Sequence, residues 1–143
     1  MSRWAKILVV MSTAVTIMAL TVGLTGSAAY ANTGTRCGQF GNRWLVCINI
    51  TGSGTYLSSM KAWMHNIRTD KTWTQMHIEL WGPQGTKPDK NCAQFNIGPN
   101  SNSPNCVWSP KRRLGTGLYC ATLWQFFGSG YNNFGTHCAH TPL

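Results

Sequence analysis

Acidic side chains are almost missing from this chain: three Asp and Glu stand against twelve Lys and Arg in 143 residues, for a formal net charge of +9. They are Asp70, Glu79 and Asp89, and of these only Glu79 falls in a stretch that reads clearly as a strand. A glycosidase needs two carboxylates at a set separation, and here Glu79 would have to find its partner in a turn, so that chemistry is set aside. No C-x-x-C pair occurs, which argues against zinc. There is no G-x-S-x-G elbow and no glycine loop of the phosphate-cradling type, so serine hydrolase and nucleotide-binding classes fall away. Amphipathic helices of useful length and repeats of 20–50 residues are also absent. His137 and His140 have loose metal-ligand spacing, but at a strand end they face opposite ways and lack a third ligand. No metal and no cofactor is expected.

A long apolar run occurs only near the N-terminus. Arg3 and Lys6 precede Ile7 to Leu24, and Ala29-Tyr30-Ala31 follows as an A-x-A cleavage box. The pattern is that of a secretory signal peptide cut after Ala31, so residues 1–31 are expected to be leader and 32–143 a single secreted β-domain. A transmembrane anchor is the competing reading of about 18 apolar residues, opposed by the cleavage box and by the lack of a charge cluster after it. Loss of Arg3 and Lys6 takes the net charge to +7 on 112 residues.

All six cysteines (Cys37, Cys47, Cys92, Cys106, Cys120 and Cys138) lie after the leader. An even number in a short exported chain implies a disulfide framework with fifteen possible pairings. Loop length alone favours neighbours: Cys37–Cys47, Cys92–Cys106 and Cys120–Cys138.

Met76, Ile78 and Leu80 alternate with His77, Glu79 and Trp81, a period of two that places the two sets on opposite faces of a strand. Gly82-Pro83-Gln84-Gly85 stops it. Trp44 to Ile50 reads as a second strand, and Thr51 to Gly54 as a hairpin turn. Tyr56 to Ile67 suits a strand, with a short helix also possible. Gly117 to Phe127 is apolar on both faces, which predicts cover on both sides, and Tyr131 to Cys138 makes the last strand. Asn32 to Arg36 reads as loose chain until Cys37, and Gly98 to Asn105 as a long surface loop. The expected fold is all-β: a small disulfide-stapled antiparallel β-sandwich or barrel of five to seven strands.

For chemistry, His77 and Glu79 point the same way and could serve general acid–base cleavage of RNA. Arg112 or Arg113 would then steady phosphate, and His137 or His140 would be the second acid. The leading form of that reading is His77, Glu79, Arg113 and His137. The plainer expectation is that His77 and Glu79 are solvent-face residues of a sheet. The positive charge admits several partners: nucleic acid, anionic cell-surface polymers such as those of a cell wall, membrane phosphates or an acidic protein. Being spread along the chain, it is more like a solvated cationic surface than a sequence-reading patch, so no specific nucleic acid is expected. Trp63, Trp81, Trp108 and Tyr131 are candidate exposed anchors.

The feature order is an export signal, C-x9-C, a G-x-G turn, the I-x-L-W-G-P-x-G strand end, the G-x-Y-C-A-T-x-W-Q strand and a closing cysteine. In this layout, from Cys37 to Cys138, the chain resembles the small secreted four- or six-cysteine proteins of actinobacteria. Within that set it is similar to the adaptor subunit of umbrella toxin particles, which bridges a repeat-bearing toxin polypeptide to a lectin subunit of trypsin-like fold. The resemblance implies a non-enzymatic binding protein. It also implies that Asn32, Thr33, Gly34, Thr35 and Arg36 form an arm for a partner's cleft. The extra pair, Cys92 and Cys106, departs from the four-cysteine pattern. The function expected is thus a secreted adaptor in a toxin-like complex, with a basic hydrolase such as a ribonuclease or a directly acting cationic antimicrobial protein as alternatives.

Overall fold

The computed structural model describes residues 31–83 and 85–141. The expected leader up to residue 30 lies outside the described residues, as do Pro142 and Leu143. Ten strands and no helix occur among the described residues: β1 (Ala31–Phe40), β2 (Trp44–Ser53), β3 (Tyr56–Asn66), β4 (Trp73–Trp81), β5 (Lys90–Asn91), β6 (Phe95–Ile97), β7 (Cys106–Trp108), β8 (Arg112–Arg113), β9 (Gly117–Phe126) and β10 (Tyr131–Thr141). They form two antiparallel sheets. One has the order β1-β2-β3-β7 with β8 also on β3; the other has β10-β9-β4-β5 with β6 also on β4. The fold is a β-sandwich. The count exceeds the expected five to seven because the proline-rich third contributes four short strands, β5 to β8.

Each sheet turns a continuous apolar face inward. Val46, Ile48 and Ile50 of β2 and Met60, Ala62 and Met64 of β3 meet Met76, Ile78 and Leu80 of β4 and Ala121 and Leu123 of β9, all fully buried. At roughly 1.5–3 kcal/mol for each large apolar side chain removed from water, this layer dominates the favourable side of folding. The period of two breaks at Gln75, a non-glycine residue at φ 54°, between the register pairs Trp73↔Ile97 and Met76↔Phe95. This bulge turns Trp73 into the core beside Met76.

All three neighbour disulfides form. Cys37–Cys47 and Cys120–Cys138 join directly opposite residues of adjacent strands. Cys92–Cys106 ties the β5 edge of one sheet to β7 of the other. Three disulfides in so small a protein suit an oxidising compartment.

Two expectations are corrected, and a third is given its anchors. Asn32 to Arg36 is part of β1, because register set by Cys37 opposite Cys47 continues outward to Asn32↔Thr51, past a bulge at Gly34. Gly98 to Asn105 is the expected, mostly exposed loop, tied to the end of β3: Asn66 N–H donates to Ser101 O, Ser103 N–H donates to Met64 O, and the Met64 N–H is held by the buried Ser103 hydroxyl. β9 is covered by the opposite sheet on one face only; Leu118, on the other, is 52% exposed.

At the β1/β10 edge the sheets approach over two glycines. A Cβ on Gly38 would lie 2.6 Å from His137 Nδ1, and one on Gly135 would lie 2.6 Å from the Phe40 ring.

Candidate functional site

β4 carries His77, Glu79 and Trp81 on the outer face of its sheet. Opposite them in register stand Trp124, Thr122 and Cys120 of β9. Glu79 Oε2 accepts a 2.7 Å hydrogen bond from Trp124 Nε1, and Oε1 lies 3.6 Å from His77 Nε2. The expectation of solvent-face residues is overturned for His77, which is 4% exposed. The Tyr131 ring closes over it edge-on at 4.6 Å, and Gln94 Nε2 donates to the Tyr131 hydroxyl at 2.8 Å. Neither His77 nitrogen has a hydrogen-bond partner among the described residues. A phosphate reaching this imidazole would have to displace its roof.

The other residues of that constellation lie elsewhere. Arg113 sits on β8 and donates from Nη1 to Thr55 Oγ1. His137, opposite Ala121 in register, faces between the sheets at the β1/β10 edge. Burial, aided by the nearby Arg36 guanidinium, pushes its imidazole below the usual value of 6.5. His140, opposite Leu118, faces outward. Among the described residues no group of three His, Cys, Asp or Glu could hold a metal ion.

The expected anchors divide among three surfaces. Trp63 is half-buried on the outer face of the β1-β2-β3 sheet, with Lys61 Nζ 5.3 Å from its ring. Trp81 lines a shallow groove on the outer face of the other sheet with Pro83, Leu118 and Thr122. Trp108 lines a cleft of about 210 Å³ at the end of the sandwich, with Lys87, Asp89 and Arg112 at its rim. Trp81 and Trp108 thus flank the Gly82–Gly85 turn from two sides. Asp89 Oδ2 accepts from the Gly82 N–H at 2.7 Å, and a Cβ on Gly82 would stand 3.0 Å from that carboxylate oxygen and in contact with the Trp108 ring. Of the expected arm, Gly34, Thr35 and Arg36 are exposed on β1, the edge strand of its sheet; the side chains of Asn32 and Thr33 lie outside the described set.

A second, larger opening was not foreseen. At the other end of the strands, a groove of about 580 Å³ is framed by Arg43, Arg68 and Lys71 over Trp73, Phe127 and Phe134. Trp44, Trp73 and Phe134 form an aromatic cluster beneath it, with Trp44 and Trp73 edge-to-face at 4.7 Å. Lys71 Nζ stands 4.0 Å from the Trp73 ring and Arg43 5.7 Å from that of Trp44, the geometry of cation–π attraction. Phe127, stacked on Phe134, is 52% exposed.

Fully buried Asn66 holds the groove's frame. Its Nδ2 donates to Lys71 O and Gly98 O; its Oδ1 accepts from Arg68 N and Trp73 Nε1. The available signal was a basic residue placed at or just before each strand-opening tryptophan, Arg43-Trp44 and Lys71-Thr72-Trp73.

No protein family, no curated protein and no solved structure matches this chain.

Proposed function

We propose that the protein is an extracellular, non-enzymatic bridging module that joins two partner chains. The observation that carries this reading is the pair of openings at opposite ends of β4. The cationic-aromatic groove lies at Trp73 and the Trp108 cleft at Gly82, so the nine residues of β4 hold them roughly 25–30 Å apart. A bridge needs two separate docking surfaces on a body that does not flex between them. Strands running the length of the sandwich and three disulfides supply that stiffness.

The secretory leader and the layout similar to umbrella toxin adaptors support the same reading. They suggest a lectin-like subunit and a large repeat-bearing polypeptide as the two partners, and the exposed edge of β1 as a further contact. The test is affinity capture of the tagged protein, exported under its own leader, from the culture supernatant of its native producer. Stoichiometric recovery of two distinct chains supports the bridge; recovery of the protein alone, as a monomer, rejects it.

A further inference from the structure

We propose that the groove framed by Arg43, Lys71 and Phe127 binds an acidic polypeptide segment that also carries apolar side chains. This names the partner chemistry at one end of the bridge, and so rests on that reading for its native partner. The chain has three acidic side chains, and each already has a partner. Asp70 gives both oxygens to Arg68, at 2.8 and 2.7 Å. Glu79 is taken by Trp124, and Asp89 by the Gly82 N–H at the far end of β4. Asp70 also lies within electrostatic reach of its neighbour Lys71, but its carboxylate is already bidentate to Arg68, so one carboxylate faces three cations, Arg43, Arg68 and Lys71, at the groove. Among the described residues no other carboxylate is placed at the groove, which leaves it with an excess of positive charge.

The floor decides which anion fits. Trp73, Phe127 and Phe134 give apolar area that a bare phosphate or sulfate could not use. Three cations around the single carboxylate of Asp70 make a modest positive field rather than the continuous basic track that follows a nucleic-acid backbone. A carboxylate-bearing peptide with interspersed leucine or phenylalanine satisfies both features: carboxylates reach Arg43 and Lys71, and an apolar side chain covers Phe127.

The probe is a fluorescein-labelled twelve-residue peptide of alternating glutamate and leucine, titrated by anisotropy against the exported protein at low and at physiological salt. Binding is expected to weaken with salt, and to weaken about tenfold or more in R43Q/K71Q. F127A should weaken it at both salt concentrations, and K87Q/R112Q at the opposite end should leave it unchanged. All substituted residues are exposed, and near-UV circular dichroism checks that the variants fold. Equal loss in both double variants would overturn the proposal, since it would mean attraction by net charge alone. So would absence of peptide binding, or tighter binding of a length-matched oligothymidine that R43Q/K71Q abolishes. If the peptide result fails while wild type recovers two chains and R43Q/K71Q loses one of them, the acidic-peptide assignment falls and the bridge stands. If the peptide binds as expected and no chain co-purifies, the reverse holds.

Discussion

Asn66 shows how one residue can organise a surface it barely touches. Its amide makes four hydrogen bonds, and these fix Lys71, Arg68 and Trp73 around one end of the sandwich. Asn66→Ala strands a buried indole N–H and two carbonyls, and should cost about 2–4 kcal/mol, read as a lower denaturant midpoint at unchanged m-value. Gly135→Ala should cost about 1–3 kcal/mol through overpacking, because its φ of 143° disfavours a side chain and the new Cβ would meet Phe40. His137 gives a pH signature. Its folded-state pKa lies below the usual 6.5, so the unfolded chain binds the proton more readily. The associated stability is complete above pH 6.5 and is lost as pH falls below that toward the folded-state value. Melting temperature should therefore drop on mild acidification, and His137→Gln should flatten that part of the profile; a variant that tracks wild type would contradict this placement. None of these roles could be read from sequence. Asn66 finds its partners 5, 7 and 32 residues away, and Gly135 matters only because β1 crosses over it.

At the scale of elements, legibility followed periodicity. Met76 to Trp81 alternates cleanly in sequence, and the structure keeps the two faces, although His77 on the outer one is buried beneath Tyr131. Gln75 breaks it with a positive φ that no glycine announced, so the inward turn of Trp73 was hidden. Asn32 to Arg36 looks like loose polar chain yet pairs with β2, and the Gly98 to Asn105 loop is pinned to the end of β3. Their order comes from a disulfide register and from the end of β3, which are tertiary facts. Neighbour pairing of the cysteines was readable because short loops close most easily. Cys92–Cys106 closes a 14-residue separation and joins the two sheets. The variant C92A/C106A should lose about 3 kcal/mol, and amide exchange should quicken over β5 to β7 ahead of β2 and β9. Uniform quickening across all strands would mean that the staple does not hold that edge locally.

For the whole molecule, scarcity of carboxylates shapes the surface as much as the core shapes the fold. With its acidic side chains committed internally, the protein presents cations at both ends, and the aromatic rings beside them differ from end to end. Composition disclosed the charge; only the packing of turns at strand ends set part of it around the two openings. The measurement that tests the bridging account most directly is partner capture repeated with a variant at each end, R43Q/K71Q and W108A/R112Q, beside wild type. The account predicts two partner chains with wild type, loss of one chain with the first variant, and loss of the other chain with the second. A wild-type protein recovered alone, or two variants that lose the same chain, would contradict it.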